Sequence, residues 1–192
     1  MESSKPARPL RADAQRNIEQ IRQAAMEIFR ENGLNAPLER VAQRAGVTKG
    51  TIYHRFRSRE ALVDAVVEDL ALDHIEALIT EAEALEGAAR RFERFLLGTW
   101  MLQYDEPAVS DVMTKGVPDS AISSDLCARA SDVLERLLVE AQAAGDVRAE
   151  VTSRDLYRFI WERGVVLRTE PRPTRADYER HCRYLLDGLR PS

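Results

Sequence analysis

The sequence predicts an all-α protein, with an N-terminal three-helix head and a C-terminal helical body. Of its 192 residues, 44% are hydrophobic and 31% are charged, and the abundant Ala, Leu, Arg and Glu favour helices over strands. Apolar residues recur at intervals of three and four positions through most of the chain, which is the period of a helix with one buried face. We therefore expect about nine helices and no sheet.

Capping hydroxyls and stop residues define the ends of these helices. The first helix is expected over residues 11–32, with Gly33 as its stop. Ser58 opens a long helix that extends to about residue 84. The other helices are expected over residues 38–44, 48–54, 90–104, 108–114, 124–144, 152–169 and 174–188, with a loop at 115–118.

Residues 37–56, which read PLERVAQRAGVTKGTIYHRF, predict two short helices that cross at a steep angle. Ala42 is small enough for the second helix to cross close above the first, and Gly46 permits the positive φ of the turn. The inward-facing positions are Leu38, Val41, Ala42, Val47 and Ile52. This pattern is typical of a helix-turn-helix, so we place the head at residues 11–57 and the body at residues 58–192.

The outward positions of the second short helix carry hydrogen-bond donors around Gly50, which has no side chain, and arginines lie on either side of them. Hydroxyls and backbone N–H groups at a helix N-terminus suit phosphate oxygens, and Lys49 can reach a phosphate or a guanine edge. The candidate DNA-binding residues are Arg44, Thr48, Lys49, Gly50, Thr51, Tyr53, His54 and Arg59. The alternative is that Tyr53 and Phe56 are core aromatics and that the arginines form a solvated surface.

Charge is divided unevenly between the two parts of the chain. Residues 1–60 contain 12 Lys and Arg against 7 Asp and Glu, whereas the remainder contains 16 against 25. A basic head on an acidic body directs the head towards phosphates and turns the body away from them.

The segment VAQRAGVTKGTIYHRFRSREAL resembles the signature of the TetR family of bacterial transcriptional regulators, and the resemblance covers about the first 80 residues. It implies that Lys49, Thr51 and His54 lie along the major groove, with Thr48 and Tyr53 on phosphates. The resemblance also implies that Arg44 contacts a phosphate or a base. Arg59 stands where family members commonly have Lys, and both can hold a phosphate.

The same resemblance implies a repressor that a small-molecule effector releases from a near-palindromic operator in double-stranded DNA. A single head offers too few base contacts for operator specificity, so we expect a homodimer. In the family the last two helices usually form the interface. The interface candidates are Tyr157, Trp161, Gly164, Arg168, Tyr178, His181, Cys182 and Leu185. The alternative is that Trp161 belongs to the core, because apolar stripes are more often core than interface.

The resemblance also implies an effector pocket inside the body. The helix expected over residues 90–104, together with the short helix after it, supplies aromatic, polar and Met side chains at core spacing. The pocket candidates are Phe92, Phe95, Leu96, Thr99, Trp100, Gln103, Tyr104 and Met113. Packed core is the alternative interpretation of each of them.

An enzyme is the first rival interpretation, but the sequence contains no GxSxG, HExxH or Gly-rich phosphate loop. We therefore expect no catalytic residues, no cofactor and no metal. His74, with Asp73 and Glu76, is the nearest approach to a reactive cluster, and a solvated helix face explains it as well. Cys127 and Cys182 are far apart and suit buried thiols. A scaffold module is the second rival, and it leaves the outward donors unexplained.

The chain has no run of 18 apolar residues, and residues 1–9 lack the apolar core of a signal peptide. We therefore expect a bacterial cytoplasmic protein without a membrane partner, associated with the nucleoid when bound to DNA.

Overall fold

The structure, a computed structural model, describes residues 8–115 and 121–191 and forms nine helices within them. These helices are α1 (Arg8–Asn32), α2 (Leu38–Ala45), α3 (Lys49–Phe56), α4 (Arg59–Glu83), α5 (Ala88–Asp105), α6 (Pro107–Lys115), α7 (Ala121–Ala143), α8 (Ser153–Val166) and α9 (Arg175–Gly188). The described residues contain no strand. The all-α prediction is confirmed.

The hydroxyls expected to begin helices do so. The Oγ1 of Thr48 accepts the backbone N–H of Thr51, and the Oγ of Ser58 accepts that of Ala61. Thr152 forms a reciprocal capping box with Asp155, as the sequence predicts. The largest differences lie at three helix ends: α1 begins three residues early, α7 begins at residue 121, and α8 ends at Val166. Of the loop expected at 115–118, Lys115 ends α6, and residues 116–118 lie outside the described ranges.

The apolar core of the head extends beyond its first three helices. Phe29, Val41 and Ile52 are fully buried in it, and the first turns of α4 contribute Leu62, Val63 and Val66. Two residues of α6, Ala108 and Val112, pack into the same cluster. The head and the body therefore share α4 and α6.

The body is built around α5, which packs against α4, α6, α7, α8 and α9. Its buried positions cover most of the helix surface, and they are Phe92, Phe95, Leu96, Gly98, Thr99, Trp100, Met101 and Gln103. The exposed residues Arg90, Arg94 and Asp105 share the remaining face. A helix with so wide a buried surface is expected at the centre of a helical body. None of the helices in the described ranges combines the length and low polarity needed to cross a bilayer.

Candidate DNA-binding surface and body cavities

The turn between α2 and α3 has the backbone that the sequence predicts. Gly46 adopts the left-handed conformation, with φ 65° and ψ 29°, and Val47 N donates to Ala42 O at 3.0 Å. Leu38, Val41, Ala42 and Ile52 are buried beneath this turn, and Val47 is half-buried against them. α2 packs against α1, and α3 packs against α2 and α4, which leaves one face of α3 towards solvent.

The predicted residues of α3 lie together on that face. Thr48, Lys49, Gly50, Tyr53 and His54 are exposed, and Thr51 is half-buried. The hydroxyls of Thr48 and Thr51 are 2.9 Å apart, and a Cβ at Gly50 would meet only the Thr48 hydroxyl, at 3.7 Å. This leaves open access to the first turn of α3, whose backbone N–H groups suit an anion.

Two carboxylates, which the sequence did not single out, hold the cations of this surface. Lys49 Nζ donates to Glu39 Oε1 at 2.6 Å. The hydrogen bond raises the pKa of Lys49 and lowers that of Glu39, so both groups remain charged. Arg44 pairs in the same way with Glu27 on α1. These partners lie on neighbouring helices, where spacing along a single helix does not reveal them.

The expectation that Arg59 contacts phosphate is corrected by its geometry. Its guanidinium donates to the backbone carbonyls of Leu34 and Ala36, the latter at 2.6 Å, and lies 5.7 Å from the centre of the Phe29 ring. Arg59 is therefore a structural residue that ties α4 to the α1–α2 turn. Both hydrogen bonds come from Nη2, so one nitrogen of Arg59 holds two carbonyls of the turn.

An apolar cavity of about 120 Å³ lies in the body between α4, α5, α6, α7 and α8. Three of the predicted residues, Phe95, Thr99 and Met113, are in its wall. The other lining residues are Ile75, Val109, Val112, Cys127, Ala130, Ser131, Leu134, Tyr157 and Ile160. The described residues of the wall contribute no carboxylate, imidazole, amine or guanidinium. It therefore suits an uncharged, mainly apolar molecule.

The other predicted pocket residues lie elsewhere. Phe92, Leu96 and Trp100 are buried in the body core. Tyr104 packs on Tyr178, with the ring centres 5.2 Å apart, and Gln103 lines a separate polar cleft. Because the buried surface of α5 includes both its cavity face and its core face, helical spacing cannot separate the two.

The predicted interface residues divide into two groups. Tyr157, Trp161 and His181 are exposed on α8 and α9, Leu185 is half-buried, and Tyr184, which the sequence analysis did not include, is 62% exposed. The assignment of Tyr178 and Cys182 to an interface is wrong, because both lie in the body core. Burial raises the pKa of the Cys182 thiol to about 12 and raises that of Tyr178.

Gly164 and Arg168 also contact the interior of the same chain. Gly164 is buried against α5 and α6. Arg168 is exposed, but its guanidinium pairs with Asp111 Oδ1 at 2.9 Å. Gly164 therefore belongs to the contact of α8 with α5 and α6, and Arg168, just after α8, contacts α6. Within the described part of the chain, no group of three or more His, Cys, Asp or Glu side chains is positioned to hold a metal ion.

Two family models match this chain. A model described as bacterial regulatory proteins of the tetR family matches residues 21–66. A second, described as the C-terminal domain of SbtR-like transcriptional regulators, matches residues 91–191. Together they cover the helix-turn-helix and most of the body.

Relatives extend the likeness over the whole chain. The HTH-type transcriptional regulator UidR of Escherichia coli strain K12 is 24% identical over 94% of this chain and 96% of its own. A TetR transcription regulatory protein from Mycobacterium vanbaalenii is 29% identical, with a TM-score of 0.54 over 95% of this chain and 100% of its own. FadR from Bacillus subtilis, solved in complex with stearoyl-CoA, is 18% identical, with a TM-score of 0.63 over 88% of this chain and 96% of its own. At that identity FadR shows the fold alone.

The exposed α3 face, mounted on a helical body, defines a helix-turn-helix DNA-binding regulator of transcription. The chain belongs to the TetR family, and its body is similar to the C-terminal domain of SbtR-like regulators.

Proposed function

We propose that this regulator is a homodimeric repressor that binds a near-palindromic operator and leaves it when a small molecule enters the body. The observation that carries the proposal is the exposed donor face of α3, with Thr48, Lys49, Thr51 and His54 around Gly50. Lys49, Thr51 and His54 face the bases, while Thr48, Tyr53 and Arg44 hold phosphates. The proposed site of action is the bacterial cytoplasm and nucleoid.

Exposed aromatic side chains support the homodimer. Among the described residues, five large hydrophobic side chains stand out as exposed: Tyr53, Val139, Tyr157, Trp161 and Tyr184. Three of them lie on α8 and α9. Trp161 is 51% exposed, and burying such a ring against a second copy removes a large apolar area from water. A two-fold axis at this face would present two α3 helices to two operator half-sites.

The apolar cavity supports an effector of matching chemistry. Its volume, about 120 Å³, is close to that of the engineered cavities, about 150 Å³, that bind benzene. Among its described lining residues, the hydroxyls of Thr99, Ser131 and Tyr157 and the thiol of Cys127 are the polar side-chain groups. We therefore assign it an uncharged small molecule, or the apolar part of a larger one. FadR, which shares this fold, was solved with stearoyl-CoA, a ligand of which one part is a long apolar chain.

The position of α6 supports coupling between this cavity and the head. Val109 and Met113 line the cavity, and Val112 packs both there and in the head core. Asp111, on the same helix, accepts the backbone N–H of Leu34 in the α1–α2 turn at 2.8 Å. A ligand that displaces α6 therefore moves the turn that supports α2. Operator affinity falls to the extent that the ligand prefers the displaced state.

Selection of bound fragments from random DNA tests operator binding. We expect the wild-type protein to enrich a near-palindrome, and Lys49→Ala to bind the enriched DNA at least about tenfold more weakly. Arg136→Ala is the matched control, because it removes the same charge from an ion pair with Glu83 on the body. If the selected fragments share no common sequence, or if the two variants bind the DNA equally well, the result would count against the proposal and favour a scaffold role.

Titration of the DNA complex with indole or hexanol tests the effector step. Both are uncharged, and each has a large apolar part. We expect one of them to weaken operator binding, and we expect Ala130→Leu, which fills the cavity, to remove the response while preserving DNA binding. If neither compound, nor a cell extract, alters operator affinity, regulation by ligand has to be abandoned.

A further inference from the structure

A second cavity, which we call the junction cleft, lies between the head and the body. It is bounded by the α1–α2 turn, α5, α6 and the end of α8, and its volume is about 300 Å³. Unlike the wall of the apolar cavity, its wall includes charged and amide side chains, among them those of Asn35, Gln103 and Arg172, and the Ser110 hydroxyl. It therefore suits a ligand of different chemistry.

Gln103 is the unusual member of this wall. The side chain is fully buried, and neither Nε2 nor Oε1 has a hydrogen-bond partner within the described structure. Leaving both ends of a buried amide unpaired is costly, and such groups are rare in native proteins. A donor and an acceptor are thus held ready at one point of the cleft.

Gly164 of α8 faces this amide. A Cβ at residue 164 would overlap the Thr114 methyl and would lie 2.9 Å from Gln103 Nε2 and 3.3 Å from Ser110 Oγ. The amide and the Ser110 hydroxyl therefore lie close to each other beneath α8. Only glycine allows α8 to pass this close without displacing them.

The charged side chains around the cleft determine which charge its ligand can carry. Arg172 Nη2 donates to the carbonyl of Tyr104 at 2.6 Å, and its guanidinium lies 4.4 Å from the centre of the Tyr104 ring. These contacts fix Arg172 without neutralising it, and its remaining N–H groups can bind a carboxylate. Arg168 is neutralised by Asp111. Glu31 also lines the cleft, so a second negative charge on the ligand would be repelled.

We propose that the junction cleft binds a small monocarboxylic acid that carries an adjacent hydroxyl or amino group. The carboxylate lies against Arg172. The neighbouring hydroxyl or amine donates to Gln103 Oε1, and Gln103 Nε2 donates to a ligand oxygen. This is a second ligand site beside the proposed apolar effector cavity. Because it touches the α1–α2 turn, its occupant contacts the head and the body at once.

Thermal unfolding of the full-length protein without DNA tests this site, so the result does not depend on operator binding. The probes are glycolate, L-lactate, L-alanine and L-serine, each at about 10 mM, with acetate as the acid that lacks the second group. We expect at least one probe to raise Tm by about 3 °C and acetate to raise it less. No shift with any of the four, or an equal shift with acetate, would overturn the proposal.

Two variants locate the binding. Gln103→Leu replaces the unpaired amide with an apolar group of similar size, and Arg172→Gln changes an exposed side chain; we expect either substitution to abolish the shift. Ala130→Leu, in the apolar cavity, is the control variant, in which we expect the acids to raise Tm as they do in the wild type. If Gln103→Leu does not fold, Arg172→Gln decides the question alone. A shift that survives in the folded variants means that the acids bind elsewhere and that the assignment is wrong.

Discussion

At the residue scale, the carboxylate of Glu39 is placed to compete with DNA for Lys49. The two charged groups are exposed, and their hydrogen bond is 2.6 Å long. In the proposed complex, Lys49 exchanges this partner for a base or a phosphate, and Glu39 then stands uncompensated beside the negative backbone. We therefore expect Glu39 to weaken binding and to limit it to DNA whose contacts repay the exchange.

We expect Glu39→Gln to raise operator affinity by about fivefold at low salt, with a smaller gain as salt screens the charge. Fluorescence anisotropy with the selected operator at two salt concentrations measures this. Glu140→Gln, which removes a body carboxylate paired with Arg91 and Arg136, is the control and should have little effect. Unchanged or weaker binding by Glu39→Gln would show that Glu39 helps to orient Lys49 instead.

The two thiols differ in burial, and this predicts different reactivity. Cys182 is fully buried, and burial raises its pKa to about 12, whereas Cys127 is half-buried in the cavity wall. Because the thiolate is the reactive form, a disulfide reagent at pH 8 should modify one thiol per chain quickly. The second should react only after unfolding. Cys127→Ser should remove the fast reaction, and two equally fast thiols would contradict the assignment.

The raised pKa of Cys182 also makes the free energy of unfolding depend on pH. The pKa of Cys182 is raised in the folded state, so its contribution is fully present below the ordinary thiol pKa. As pH rises from there towards about 12, the unfolded chain releases the proton and the native chain retains it, and the native state is progressively destabilised. Urea unfolding of wild type and Cys182→Ser between pH 8 and pH 10 should show the steeper loss in wild type.

At the element scale, the helix-turn-helix is the part that the sequence predicts best, because its determinants are local. Gly46 and the cap at Thr48 act within a few residues of their own positions, so a single window contains the signal. Arg59 and Asp111 show the opposite case. Their partners, the carbonyls and N–H of the α1–α2 turn, are 23 to 77 residues away, and nothing along α4 or α6 reveals them.

The α1–α2 turn should respond to substitution more than the α2–α3 turn does. Gly33 and Gly46 both have positive φ, but a Cβ at Gly33 would lie 2.5 Å from Asp111 Oδ2, whereas Gly46 has open space. We expect Gly46→Ala to cost about 1 kcal/mol for strain alone. Gly33→Ala should cost about 3 kcal/mol, because it also breaks the buried hydrogen bond from Leu34 to Asp111. Urea unfolding measures both free energies. If the two substitutions lower the free energy of unfolding equally, Asp111 can move away from the new Cβ without loss of stability.

At the scale of the whole molecule, the basic head and the acidic body share α4 and α6. One side of α6 closes the apolar cavity, and Asp111 on the same helix holds both the turn before α2 and Arg168, which follows α8. The exposed aromatic residues Tyr157 and Trp161 lie on α8. We therefore expect a change at the cavity, at the junction cleft or at the proposed subunit interface to reach the head through α6.

Substitutions of Trp161 test whether two copies of this chain form a dimer through α8. The ring is 51% exposed on α8, and a carboxylate in its place would be buried without a partner in a symmetric interface, twice per dimer. We expect Trp161→Glu to be monomeric in equilibrium sedimentation at micromolar concentration. Trp161→Phe, which keeps an aromatic ring, should remain dimeric.

Operator binding should follow the oligomeric state. A monomer engages one half-site and loses the effective concentration that the partner supplies, so Trp161→Glu should bind the selected palindrome about a hundredfold more weakly. On a DNA fragment that holds a single half-site, the two variants should bind alike, since α3 is unchanged in both. A Trp161→Glu protein that stays dimeric and binds the palindrome as tightly as Trp161→Phe would place the subunit interface on another face of the body.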